Sequence, residues 1–419
     1  MSFSRRSKLS RSLRGFTLIE LMVAITAGLF VAIAAFALAR QGSRFFQQEA
    51  RIANAQFSAT LGFDRLRADI ARAGFLSTAN IQRDPFRCGS TAGWPSPGMP
   101  SLAAVRIAAT TPTAVQDPAN GLAPEQITLT GSYTSIEQFP VRSVEIIAGG
   151  QFQVLLQQNN GAYVRANLGP DGGNGLTLFQ AGRVLRILDG TGHYEYGSIA
   201  AVGIDASGSV AITLKANPPI AFKREAGSTC GVGGFGVGMQ ANVINTIRYE
   251  IRDLKALDLP QFRPLYNTSA TAPGDEKRYE LVRVEIDSSG AEMADSLELV
   301  AEYAVDLRFG LTVATTVMNA NVFDPTVAEF PFGDANVYNY AFDVATSPTA
   351  VGPERIRAVR ARLSVRSREA DRAAPVPPPA GAPPGSLFRY SMGGDGGSYA
   401  RARSLTADIQ LPNLAGIAW

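Results

Sequence analysis

Few residues in this chain are placed to do chemistry, and the one most out of place is Glu20. It is the only charged residue in the 24 residues from 16 to 39. A carboxylate in such an apolar run costs about 2.5–3.5 kcal/mol on insertion scales for a mid-helix acid, so it marks a function that needs it. His193 is the only histidine, and any Ser-His-Asp or Cys-His arrangement would have to use it. It lies in Gly190-Thr191-Gly192-His193-Tyr194, which reads as a turn between strands, where a surface histidine is the expected role. One histidine beside two cysteines, Cys88 and Cys230, cannot assemble a His/Cys metal site. Gly231-Val232-Gly233-Gly234-Phe235-Gly236 matches GxGxxG literally. It follows a cysteine and precedes a strand, so the dinucleotide context fails and a flexible glycine loop is expected. Asp171-Gly172-Gly173-Asn174 and Asp395 lack the alternating ligands of a calcium loop and read as turns. Arg357, Arg360, Arg362, Arg366 and Arg368, with Arg401 and Arg403, form a basic ladder. DNA contact is conceivable there, but alternating charge is the ordinary wet face of a strand, and that reading is preferred. The expectation is a chain that is no enzyme and carries no cofactor or metal.

The elements around these residues are legible from spacing. The apolar run is long enough to cross a bilayer as a helix. Arg5, Arg6, Lys8, Arg11 and Arg14 precede Gly15 without any acid, so this flank stays cytoplasmic and everything after Ala39 is exported. Those five cations turn a formal charge of +3 into −2 for the remainder. The sequence pI near 8.9 therefore says little about nucleic acid. A secretory signal would have a shorter apolar core before a site such as Ala37-Leu38-Ala39, and a plain anchor leaves Gly15 and Glu20 without a reason. In an exported chain, Cys88 and Cys230 are most simply a disulfide closing a long loop. Two free thiols or a redox pair are the alternatives, and they lack CxxC spacing.

Past the apolar run, Ile52, Ala55, Ala59, Phe63, Leu66, Ile70 and Ala73 recur at helical spacing, with Glu49, Arg51, Asp64, Arg65, Arg67, Asp69 and Arg72 on other faces. One helix from Phe16 to about Ala73 follows, roughly 85–90 Å long. Gly28, Gly42 and Gly62 are places for it to bend or melt, and Gly74 is its stop. Beyond Cys88, strands are expected at 126–130, 142–148, 152–157, 183–188, 199–204 and 210–214. Others are expected at 243–251, 280–287, 297–309, 356–366 and 404–411. Alternation in Val282-Arg283-Val284-Glu285-Ile286-Asp287 and in Val359-Arg360-Ala361-Arg362-Leu363-Ser364-Val365 argues antiparallel sheet with one wet face. Residues 319–352 and the proline-rich 373–385 read as loops. No internal repeat stands out.

Gly15-Phe16-Thr17-Leu18-Ile19-Glu20-Leu21-Met22-Val23-Ala24 resembles the class III signal of type IV pilins and type II secretion pseudopilins. The resemblance implies that prepilin peptidase cuts between Gly15 and Phe16 and methylates Phe16. It also implies that Glu20 pairs with the N-terminal amine of a neighbouring subunit during assembly. The implied fold is α+β, a long N-terminal transmembrane helix packed on an antiparallel β-rich domain. A leader occupies residues 1–15 and the helix 16–75, of which 16–39 cross the membrane. The exported domain is 76–419, with insertions near 310–352 and 369–400.

Leu66-Arg67-Ala68-Asp69-Ile70-Ala71-Arg72-Ala73-Gly74-Phe75, with Cys88 soon after, is similar to the PilW-type minor pilins. So, in order, are residues 247–251, 279–287, 298–309, 356–367 and 401–411. The stretches 310–352 and 369–400 depart from that pattern, and the transmembrane half lacks the proline usual in major pilins. The implied role is a minor pilin that helps start type IV pilus assembly near the filament tip. Its implied partners are prepilin peptidase, the major and other minor pilins, the inner-membrane assembly platform and, before assembly, membrane lipid. A single-pass inner-membrane protein that later enters the pilus follows. A minor pseudopilin of a type II secretion system is the alternative, as is a tip adhesin binding through the two long loops.

Overall fold

The computed structural model describes residues 17–109, 115, 117, 120–168, 173–222, 230–265, 277–316, 326–341, 352–370, 380–381, 387–393 and 398–417. The chain divides into two units, residues 1–53 and 54–419. Helix α1 (Leu18–Ala71) is continuous over 54 residues. In the first unit its apolar side chains, among them Leu18, Leu21, Val23, Phe30, Phe36 and Leu38, are exposed. The part from Leu18 to Gln47 is long and apolar enough to cross a membrane.

In the second unit α1 shows its expected face. Ala59, Phe63, Leu66, Ile70 and Ala73 are buried in one core. The side chain of Ile52, expected on the same face, lies outside the described residues. Gly74 ends the helix with φ 78°, and its N–H donates to the Thr130 carbonyl at 2.8 Å. Asn413 Nδ2 donates to the Ala73 carbonyl at 3.1 Å and the Ala71 carbonyl at 3.5 Å, so the chain's far end caps the helix. Gly62 is no hinge. A Cβ there would meet Ala301 Cβ at 2.8 Å and the Val300 carbonyl oxygen at 2.9 Å, so glycine permits close contact with the strand alongside.

The strands, in order, are β1 (Val105–Ala108), β2 (Gln126–Gly131), β3 (Phe139–Ile146), β4 (Phe152–Leu156), β5 (Val184–Leu188), β6 (Tyr194–Ile204), β7 (Val210–Leu214), β8 (Gly234–Phe235) and β9 (Gln240–Arg252). They continue as β10 (Glu280–Ile286), β11 (Glu298–Ala301), β12 (Ala304–Ala314), β13 (Val327–Phe330), β14 (Ile356–Arg366), β15 (Arg389–Gly393) and β16 (Ser398–Gln410). Short helices are α2 (Gly161–Arg165), α3 (Gly175–Leu178), α4 (Leu254–Leu257) and α5 (Ala335–Ala341).

Strand β9 belongs to two structures at once. Its first part pairs with β5 in the register Val184↔Ile244 to Leu188↔Gln240, and with β3 at Phe139↔Ala241. Its second part lies between β2 and β10, with Gly131↔Asn245 and Glu280↔Arg252. The pairings β9–β5–β6–β7–β4–β3–β9 therefore close into a ring of six antiparallel strands. This ring encloses its own core, including Phe139, Val154, Phe179, Leu185, Ile187, Ile199, Ile212 and Val243. The other half of β9 sits in an open sheet ordered β1-β2-β9-β10-β11. A second sheet, β13-β12-β14-β16-β15, contributes Leu307, Phe309, Val359, Leu363 and Ile409 to the core shared with α1 and the open sheet.

All eleven expected strands exist within a few residues, although 297–309 is interrupted at Tyr303, where φ is 55°. Strands β1, β8, β13 and β15 were not expected. Residues 310–352 hold the end of β12, β13 and α5, and Val337 and Ala341 of α5 are buried in the α1 core. Residues 369–400 include β15. The proline-rich 373–385 falls outside the described residues except for 380–381.

The expectation of one wet face is corrected in part of both alternating strands. Glu285, Arg362, Ser364 and Arg366 are buried, because loops and side chains of neighbouring elements cover what spacing alone assigns to solvent.

Candidate functional site

At the start of α1 the chain's most unusual carboxylate serves its own helix. The Thr17 N–H donates to Glu20 Oε2 at 3.0 Å, and Thr17 Oγ1 donates to the same oxygen at 2.9 Å. In return the Glu20 N–H donates to Thr17 Oγ1 at 3.3 Å. This is a capping box: threonine and glutamate three apart satisfy amide groups that the first turn leaves without partners. No cation contacts Glu20 among the described residues. Gly15 and Phe16 lie outside them.

The chain carries the prokaryotic N-terminal methylation motif. The match covers residues 10–36. The motif indicates a type IV pilin-like or pseudopilin protein and implies processing by prepilin peptidase and a pilus-type assembly. The apolar helix with this motif is consistent with membrane anchoring, and the helix followed by antiparallel sheet is consistent with a type IV pilin-like fold. No curated protein and no solved structure matches the chain.

The outer end of α1 is fixed to the sheets by Asp69, which spacing placed on a solvated face. Its carboxylate is buried and accepts from Tyr249 Oη at 2.7 Å and Arg283 Nε at 2.9 Å. Tyr133 Oη donates to the Asp69 carbonyl at 3.0 Å. Further on, Glu354 is fully buried and accepts from Asn80 Nδ2 at 2.7 Å and Arg83 at 2.8 Å. That pair ties the segment after the helix to the start of β14. Neither residue stood out in the sequence, because polar identity does not reveal a partner hundreds of residues away.

Cys88 and Cys230 are joined in a disulfide with Cα atoms 5.9 Å apart. The Cys88 N–H donates to the Tyr194 carbonyl at 2.9 Å, and the Tyr194 N–H donates to the Phe86 carbonyl at 2.7 Å, so the segment runs along the start of β6. Glu195, the next residue, places a carboxylate oxygen within 4.8 Å of both sulfurs. Burial pushes the Glu195 carboxyl up to about 8; the Ala221 N–H, at 3.2 Å, opposes that rise and the Asp189 charge adds to it. With both sulfurs in the disulfide, this group presents no thiolate to a metal.

His193 is a turn residue, as its glycine-rich context suggested. Its N–H donates to Asp189 Oδ1 at 2.8 Å, and its Nδ1 shares a hydrogen bond with Thr191 Oγ1 at 3.0 Å. The 231–236 glycines form no flexible loop. Gly234 and Phe235 pair with β3, and a Cβ on Gly233 or Gly236 would strike the Phe222 or Val141 carbonyl oxygen. Glycine is needed there for close backbone approach. Asp171, Gly172 and Asp395 fall outside the described residues.

Four residues of the basic ladder, Arg357, Arg360, Arg362 and Arg366, are engaged within the protein, while Arg403 is exposed. Arg360 Nε pairs with Asp408 at 2.6 Å and Arg362 with Asp306 at 3.3 Å. Arg357 donates to the Glu354 and Ile417 carbonyls at 2.8 and 3.1 Å. Arg366, fully buried, donates to the carbonyls of Ser367, Arg368 and Lys277 and stacks between the Tyr303 and Tyr390 rings. A groove of about 730 Å³ beside the helix end is lined by Arg72, Glu137, Arg165 and Arg183. Its cations are engaged too, Arg165 with Glu137 at 2.6 Å and Arg183 with Glu285 at 2.7 Å.

Proposed function

We propose that this protein is a minor pilin of the PilW type, present in few copies, that helps start type IV pilus assembly near the filament tip and catalyses no reaction on another molecule. One observation carries the reading. A methylation-motif helix continues into a domain of two sheets enlarged by a closed six-stranded ring with its own core. The helix start suits a filament core. The enlarged domain suits a subunit that need not repeat along a slender fibre. The engagement of His193, Arg360 and Arg362 in local structure supports a structural role over catalysis or DNA contact.

The mature chain is expected to begin at methylated Phe16, which mass spectrometry of membrane-extracted protein reads directly. Deleting the gene should abolish or sharply reduce surface pili while the major pilin is still made and processed. Full piliation and motility in the deletion strain, or copy number equal to the major pilin in sheared fibres, would overturn the assignment. Intact pili with lost release of secreted enzymes would place the chain among the pseudopilins instead.

A further inference from the structure

Glu195 is a buried carboxylate, and no cation pairs with it among the described residues. Among the described residues no Lys, Arg or His lies within ion-pair distance of it, and its one hydrogen bond comes from the Ala221 N–H. An uncompensated buried carboxyl is costly to keep unless it is protonated or has work to do. Its placement is specific. One carboxylate oxygen lies within 4.8 Å of both Cys88 Sγ and Cys230 Sγ, a span that a small rotation or one water closes.

Among the described residues, the charged groups nearby are committed elsewhere. Asp189 accepts from the N–H groups of Thr191, His193 and Gly231. Arg87 donates to the Ile81 and Gly89 carbonyls. His193 is bonded to Thr191. The two cysteines are themselves only 4% and 5% exposed, so water is scarce as a base.

We propose that Glu195 is the proton acceptor for closing the Cys88–Cys230 disulfide. Closure takes two exchanges with an external disulfide oxidant. In the first, one cysteine loses its proton to solvent and its thiolate attacks the oxidant, forming a mixed disulfide and releasing one reagent thiolate, which takes a proton from solvent. In the second, the remaining cysteine gives its proton to Glu195 and its sulfur attacks the protein sulfur of the mixed disulfide. The Cys88–Cys230 bond forms, the second reagent thiolate leaves, and it takes the proton back from Glu195. Two electrons and two protons pass to the oxidant, and Glu195 returns to its starting state. The carboxyl's raised affinity for protons suits it to exchange one with a thiol near neutral pH.

The test uses the full chain in detergent micelles, reduced and then mixed with oxidised glutathione, with samples trapped by alkylation and weighed intact. Glu195→Gln keeps the volume and an acceptor for the Ala221 N–H but cannot take a proton. It should accumulate the glutathione adduct and close at least about tenfold more slowly at pH 7, the low end of general-base effects. The deficit should shrink toward pH 10, where hydroxide ionises the thiol, and Glu195→Asp should recover part of the rate. Closure of the Gln variant within twofold of wild type at pH 7 overturns the proposal. So does a slowing that is the same at every pH, which would be a packing effect. If reduction unfolds the site, both chains close alike, and that result also rejects the role. None of these outcomes depends on whether the chain belongs to a pilus.

Discussion

Asp69 stands in the last turn of α1, and everything the helix does for the domain passes close to it. Its carboxylate takes the Tyr249 hydroxyl of β9 and the Arg283 guanidinium of β10, while Arg65 approaches from one turn earlier at 3.9 Å. Replacing a whole buried ion pair by apolar groups is often neutral, but removing one partner strands the other and costs about 3–5 kcal/mol. Asp69→Ala should therefore lower the unfolding free energy by about 3 kcal/mol, and Tyr249→Phe by about 1 kcal/mol, the net value of one hydrogen bond. Urea unfolding of the micelle-held chain, followed by circular dichroism, reads both. Equal losses in the two variants would mean that Arg283 is not held by Asp69. At this scale the sequence was readable only where chemistry was local. Gly74 declared itself as a helix stop, and His193 as a turn residue. Asp69 did not declare itself, because its partner Tyr249 is 180 residues away. Glu195 and Glu354 were hidden for the same reason.

Three hairpins share a device that their sequences barely show. Asp189-Gly190-Thr191-Gly192-His193, Asp205-Ala206-Ser207-Gly208-Ser209 and Asp287-Ser288-Ser289-Gly290-Ala291 share the aspartate, a hydroxyl residue two on and a glycine three on. In each, the aspartate accepts from the N–H groups two and four residues ahead: 2.8 and 2.8 Å for Asp189, 2.9 and 2.7 Å for Asp205, 2.8 and 3.0 Å for Asp287. The glycine then takes the left-handed region, with φ 92°, 81° and 95° in turn. Alanine there costs about 1–2 kcal/mol from backbone strain alone. At Gly192 a Cβ would meet nothing within 4 Å, whereas at Gly290 it would meet Pro97 Cγ at 2.9 Å. Gly192→Ala should thus cost only the backbone term and Gly290→Ala clearly more, both read as shifts of the urea midpoint; the reverse order would show that the contact with Pro97 adds nothing to the backbone strain. Long strands with strong β composition were legible as elements. The four-residue β1 and β13 and the two-residue β8 were not, since too few side chains lie in each to show a period.

For the molecule as a whole, spacing conveyed a helix and a β-rich domain, but not that β3 to β9 closes on itself. Closure rests on the two-residue pairing of β3 with β9, a long-range event that leaves no local pattern. The assembly question, by contrast, comes back to one residue near the chain's beginning. Both Thr17 donors go to Glu20 Oε2, which leaves Oε1 for a partner outside the helix. The cap thus leaves room for the pairing that the resemblance implies, and the two roles would differ in size. Loss of an N-cap costs about 1 kcal/mol. An amine at about 4 Å in surroundings of effective dielectric near 20 is worth about 4 kcal/mol. Glu20→Ala removes both roles, while Glu20→Gln keeps an amide oxygen for the Thr17 N–H and loses only the charge. If the charge pairs with the N-terminal amine of a neighbouring subunit, both variants should be cut after Gly15 as in wild type, and both should be largely missing from sheared fibres while accumulating in the membrane. Immunoblots of the two fractions, with mass spectrometry of the N-terminus, measure this. A glutamine variant that enters fibres as well as wild type, beside an alanine variant that does not, would reduce Glu20 to a helix cap and remove the charge from the assembly mechanism.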